Sequence, residues 1–107
     1  MRIDLNNVND VNFSKSPLIP AIVQDFITGQ ILMQGLMDQA ALTHTLEHKK
    51  VTFYSRSKQR LWTKGESSGH FLHIEAVYTD CDQDSLLIMA YPDSPTCHLG
   101  TQSCFGD

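Results

Sequence analysis

Three cysteines and three aspartates are the residues whose spacing points most directly to chemistry. Cys81, Cys97 and Cys104 follow a C-x15-C-x6-C pattern. Zinc favours thiolate ligands, and three protein ligands leave a fourth position open for water. That number suits a catalytic site better than a closed structural one. No C-x-x-C knuckle is present, which argues against a zinc finger or ribbon. The plainer reading is three inert cysteines, because free Cys often serves as a small core residue. Spacing alone leaves both readings open.

Asp80, Asp82 and Asp84 occupy every second position. On an extended chain their carboxylates would all point one way. Like charges that close repel unless a cation neutralises them, and oxygen ligands suit a hard ion such as Mg²⁺. The alternative is a solvated acidic turn between two strands. An EF-hand is excluded, because Ser85 stands where its loop needs Gly and Tyr91 where it needs a bidentate Glu. Cys81 lies inside this acidic run. On an extended segment its side chain faces away from the carboxylates, so one short segment could serve two metals. That overlap favours a metal-dependent enzyme.

A basic stretch comes earlier. Arg56, Lys58, Arg60 and Lys64 are four of the eight basic residues and fall within nine positions. Ser57, Trp62, Ser67, Ser68 and His70 are interleaved with or follow them. Arg and Lys bind phosphate, a Gly/Ser loop offers backbone N–H groups to an anion, and Trp62 could stack on a base. A solvated hairpin edge is the alternative. A Walker loop is absent. His98 follows Cys97 directly and could be a fourth ligand or a general base, and His70 could do either job. His44 and His48 read as surface residues of a helix. His73 and Glu75, with Pro95-Thr96-Cys97, faintly echo the zinc deaminase signature, but Thr96 breaks the Pro-Cys step. They read instead as one polar face of a strand.

These residues need a scaffold. The 107 residues suit one domain, with 41% hydrophobic and 19% charged residues. The segment 1–18 reads as an irregular lead-in. Ala21 to Phe26 and Gln30 to Gly35 read as a hairpin. Asp38 is a plausible N-cap for a helix over about 38–49, with Leu42 and Leu46 on one face. Strands are expected at Val51 to Arg56, Leu61 to Lys64, His70 to Thr79 and Leu86 to Tyr91. In the third of these, Leu72, Ile74, Ala76 and Tyr78 alternate with His73, Glu75 and Thr79. Leu86 to Tyr91 is a continuous apolar run, as in a buried strand. The fold class is α+β, mostly strands with one main helix.

The net charge of −4 argues against general nucleic-acid or membrane-surface binding. No apolar run approaches the roughly 20 residues needed to span a bilayer. An odd number of cysteines cannot all pair within one chain, which fits a reducing cytoplasm. The close approach of Cys104 to the last residue suggests either a compact enzyme or a domain from a longer chain.

Four stretches now stand out together. They are Tyr54-Ser55-Arg56-Ser57, the run from Leu61 to His70, Asp80-Cys81-Asp82-x-Asp84, and the run from Cys97 to Phe105. Their order resembles phosphoribosyl-AMP cyclohydrolase of histidine biosynthesis, from about Ile19 to Phe105. The resemblance implies hydrolytic opening of the adenine ring of phosphoribosyl-AMP between N1 and C6, by zinc-activated water. It implies Mg²⁺ on Asp80, Asp82 and Asp84, and Zn²⁺ on Cys97, Cys104 and the Cys81 of another subunit. It therefore implies curved sheets in an intertwined homodimer. The ending Cys104-Phe105-Gly106-Asp107 is similar to the junction of bifunctional proteins in which a pyrophosphohydrolase domain follows. The rival reading is a non-catalytic zinc module that binds nucleotides or RNA.

Overall fold

The structure is a computed structural model, and it describes residues 1–106. The elements run β1 Arg2–Ile3, a 3-10 turn Val8–Asp10, β2 Ile19–Asp25, β3 Ile31–Met37, α1 Gln39–His48, β4 Thr52–Ser55, β5 Arg60–Thr63, β6 Leu72–Thr79 and β7 Leu86–Pro92. Five strands form one sheet in the order β1-β6-β7-β2-β3, and β4 and β5 form a separate hairpin. Only the β2–β7 pair within the larger sheet is parallel. The α+β expectation holds, with one α-helix among the described residues.

Local chemistry explains the elements. The β2–β3 turn is held by Asp25, whose Oδ1 accepts the N–H groups of Ile27 and Thr28 at 2.8 and 3.2 Å. Asp38 caps α1 by accepting the Ala41 N–H at 2.7 Å. The helix ends at Lys49, which turns left-handed at φ 60°. Its buried stripe is Ala41, Leu42, Thr45 and Leu46, the spacing of one helix face. Thr45 ties α1 to β4. Its hydroxyl accepts the Thr52 N–H at 3.0 Å and donates to the Thr52 carbonyl at 3.1 Å. Gly35 in β3 lets the β4–β5 hairpin approach, since a Cβ there would lie 2.6 Å from the Phe53 ring.

One face of the large sheet makes the core. Ile19, Ala21 and Val23 of β2, Leu32 and Met37 of β3, Leu72 and Val77 of β6 and Leu86 and Ile88 of β7 are all buried with the α1 stripe. The other face carries Tyr78, Leu87 and Ile22 side by side across three strands. Tyr78 and Ile22 are exposed there.

Four expectations need correction. The lead-in is partly ordered: Arg2 and Ile3 pair with Tyr78 and Val77 of β6. Ile3, Val8 and Val11 join the core, because the edge of β6 would otherwise stand unpaired. The alternation in β6 also slips. Its register shifts between Ile74 and Ala76, and an inserted residue flips every later side chain to the other face. Thr79 is therefore buried and Tyr78 exposed. The β7 run is buried on one face only, at Leu86, Ile88 and Ala90. Finally, His44 is half-buried rather than a free surface residue, with its Nδ1 3.2 Å from Thr52 Oγ1.

Candidate active site

Two loops build a cleft of about 350 Å³. The first leaves β5 at Lys64 and returns to β6 at Phe71. Gly65 makes this loop possible: its φ of 93° suits glycine, and a Cβ would overlap the His70 carbonyl. The Gly69 N–H closes the loop on the Gly65 carbonyl at 2.7 Å. Glu66 binds Arg60 at 2.7 Å, and the hydrogen bond from Arg60 holds its carboxyl below the usual range. Arg60 is thus engaged within its own hairpin. Lys64 lies 5.8 Å over the Trp62 ring.

The second loop follows β7 and is pinned by Asp93. Its N–H donates to the Phe71 carbonyl at 3.0 Å and its Oδ2 accepts the Phe71 N–H at 2.9 Å. Its Oδ1 lies 2.9 Å from His73 Nε2. These contacts, the Phe71 N–H first and His73 next, hold the Asp93 carboxyl below its ordinary range. The chain then folds into a small hairpin. The N–H groups of Thr96 and Cys97 donate to the Gln102 and Thr101 carbonyls, each at 3.2 Å. Ser103 Oγ donates to the Ile31 carbonyl at 2.6 Å, and the Cys104 N–H to the Leu32 carbonyl at 2.7 Å. The hairpin is thereby anchored on β3.

This anchoring brings the Cys97 and Cys104 side chains close enough to influence one another electrostatically. Cys97 is held below the usual thiol range by the Leu99 N–H first, then by the Thr101 hydroxyl, Cys104 and the Lys64 charge. Cys104 is pushed up by partial burial and by the neighbouring Cys97 sulfur. One sulfur is therefore biased toward thiolate, the metal-binding and nucleophilic form. Trp62, Lys64, Ser67, Ser68 and His70 line one wall of the cleft, and Cys97 and His98 line the other.

The remaining expected residues lie elsewhere. Arg56 and Ser57 sit at the exposed tip of the β4–β5 hairpin and do not line the cleft. The Asp80–Asp84 segment is a turn, which corrects the extended geometry expected for it. Gln83 is left-handed at φ 61° and donates its N–H to the Asp80 carbonyl at 3.0 Å. Asp80 Oδ1 accepts the Asp84 N–H at 3.0 Å. Aspartate prefers such local backbone bonds to an extended ladder. Cys81 is exposed on this turn. Among the described residues, no three His, Cys, Asp or Glu side chains converge on one point. The Cys97–Cys104 pair would suit a soft cation as two of its ligands. The three carboxylates are not presented as a set by one chain.

Asp93 and Thr96 were not singled out as site residues in the sequence. Asp93 sits in a Pro-Asp-Ser-Pro breaker, and Thr96 shows only its place beside Cys97.

Residues 33–106 match the phosphoribosyl-AMP cyclohydrolase family. The chain belongs to that family. The cyclohydrolase match takes in every residue of the cleft and the whole Asp80–Asp84 turn, and leaves β1 and β2 outside. Similar curated proteins share one description, histidine biosynthesis bifunctional protein HisIE. That of Yersinia pestis is 57% identical over 99 residues, covering 92% of this chain and 48% of the relative. That of Escherichia coli (strain K12) is 59% identical over 90 residues, covering 84% and 44%. That of Staphylococcus epidermidis (strain ATCC 12228 / FDA PCI 1200) is 57% identical over 95 residues, covering 89% and 44%. The chain spans about half the length of these relatives.

Proposed function

We propose that this chain opens the adenine ring of phosphoribosyl-AMP between N1 and C6, as the cyclohydrolase part of a bifunctional histidine-biosynthesis protein. A pyrophosphohydrolase unit is the proposed second part. The observation that carries the reading is the cleft itself, which sets the Ser/Gly loop with Lys64 against Cys97 and His98. Three free cysteines suit a reducing cytoplasm, and no helix among the described residues is long and apolar enough to cross a membrane.

The roles follow from chemistry. Lys64, Ser67 and Ser68 hold a phosphate, and Trp62 offers a ring face to the base. Cys97 and Cys104 would hold zinc with Cys81 of a second copy, and bound zinc lowers the pKa of water toward 7. His98 or His70 takes the proton of the attacking water and returns one to N1 as the C6–N1 bond breaks. The turn at Asp80, Asp82 and Asp84 is the proposed Mg²⁺ site, and no step is assigned to it.

A second copy is part of the proposal. The apolar row of exposed Tyr78 and Ile22 with half-buried Leu87 between them runs to the crevice beside Asp80, next to Cys81. Covering that apolar face with another chain would bring a foreign Cys81 within the assembly. The mass in solution should be twice that of the chain.

The test is ring opening followed by absorbance, before chelation, after it, and after zinc is restored. Activity should vanish and return with the metal. Nucleotide binding without turnover in every metal state would make the chain a non-catalytic nucleotide- or RNA-binding zinc module.

A further inference from the structure

Buried hydroxyls among the described residues find partners, with one exception. Thr45 bonds the Thr52 backbone, Thr52 bonds Thr63, Thr79 donates to the Ser85 carbonyl and Ser103 to the Ile31 carbonyl. Thr96 is only 4% exposed, yet its Oγ1 meets no hydrogen-bonding group. It is the one such atom among the described residues. A buried hydroxyl without a partner is costly, and valine would fill the same space without that cost. Thr96 also lines the cleft, between the Lys64–His70 loop and Cys97. A turn about χ1 moves the hydroxyl into the place now held by the methyl group or by the hydrogen on Cβ. The hydroxyl can therefore turn to an acceptor that enters the cleft.

We infer that Thr96 is a ligand-contacting residue, whose hydroxyl donates to an acceptor atom of a bound purine nucleotide. This rests on the proposed function for the identity of the ligand. The neighbouring wall supplies the donor-only ammonium of Lys64 and the hydroxyls of Ser67 and Ser68, while the Glu66 carboxylate there is already engaged by Arg60, so an acceptor on the ligand finds donors on both sides. The contact exists in the ground-state complex, so its loss raises KM more than it lowers kcat.

The test compares Thr96→Val with Thr96→Ser in the full chain, using AMP as the binding probe and phosphoribosyl-AMP as substrate. Thr96→Val should keep the wild-type zinc content and melt no lower than wild type. Its AMP dissociation constant should rise about tenfold, with kcat/KM falling by a similar factor. Thr96→Ser should return both to within about threefold of wild type. Unchanged AMP affinity and turnover in Thr96→Val would overturn the inference. So would equal losses in both variants with lowered melting, which mark a packing role. If wild type binds AMP in a valine-sensitive way but opens no ring, the inference stands and the proposed activity falls. If wild type does neither, both fall.

Discussion

The cleft and the acidic turn carry the same kinds of ligating residue, yet the fold treats them in opposite ways. Loops leaving β5 and β7, far apart in sequence, converge in the cleft and put Lys64, Cys97 and His98 on facing walls. The segment from Asp80 to Asp84 is contiguous, yet it faces no second segment across the cleft as those loops do. It satisfies itself with local bonds from Gln83 and Asp84 to Asp80. Adjacency in sequence is therefore a poor guide to a shared site, because a short segment can consume its own polar groups. Convergence needs anchors such as Ser103 on β3 and Asp93 on β6.

The largest effect should come from the cysteines that divide between the two regions. Cys97→Ser and Cys81→Ser should each lower turnover about a thousandfold or more, with loss of zinc. Mixing the two variants, with exchange of subunits, should restore about a quarter of the wild-type rate. Half of randomly assorted dimers then hold one whole site. Full zinc and turnover in Cys81→Ser would confine the site to the cleft.

Next comes the cation on the cleft wall. Lys64→Met should reduce kcat/KM roughly 10- to 100-fold, the range for a lost charged hydrogen bond. Arg56→Met, at the hairpin tip, should change it by about twofold or less. An equal loss for both would mean that the hairpin tip of one copy reaches the cleft of another.

Stability separates the regions more finely. Gly65→Ala should destabilise the fold by about 1–3 kcal/mol, because φ there is positive and the His70 carbonyl blocks a Cβ. Asp82→Ala, exposed on the turn, should leave the metal-free melting temperature within about a degree or two.

The smallest effect is a pH dependence. Asp93 is held below its ordinary range by the Phe71 N–H and His73, so the unfolded chain takes up its proton first as pH falls. Its stabilisation is complete above the ordinary aspartate pKa of about 3.9 and fades as pH drops through the lowered native value. The melting difference between wild type and Asp93→Asn should therefore be present at neutral pH and close in acid. A difference that persists unchanged in acid would show that the charge of Asp93 does not hold the Cys97 loop.

Elements governed by local signals were legible in the sequence. The helix read as about 38–49 is Gln39–His48, because its cap at Asp38 is a local interaction. The β2–β3 hairpin was equally plain. What escaped depended on distant partners. Arg2 and Ile3 became a strand only through β6, and the Glu75 bulge that exposes Tyr78 shows no marker in the alternation. For the site, residue types pointed to Lys64, Ser67, Ser68, His70, Cys97 and His98, and the cleft gathers all six. Thr96 and Asp93 were hidden, since a missing partner and a backbone clasp leave no trace in composition. The extended reading of Asp80–Asp84 failed because a period of two says nothing about side chains that bond their own turn.

The order β1-β6-β7-β2-β3 also governs how the chain can be assembled. β7, the last strand in the sequence, is the middle of its sheet. During synthesis the β2–β3 hairpin, complete at Met37, must wait with one edge of β2 open until β7 emerges from Leu86 onward to fill it. Such non-local closure is slow, and an open edge is where chains stick to one another. Holding nascent chains short of Leu86 should thus favour aggregation, and the arrival of β7 should end that exposure.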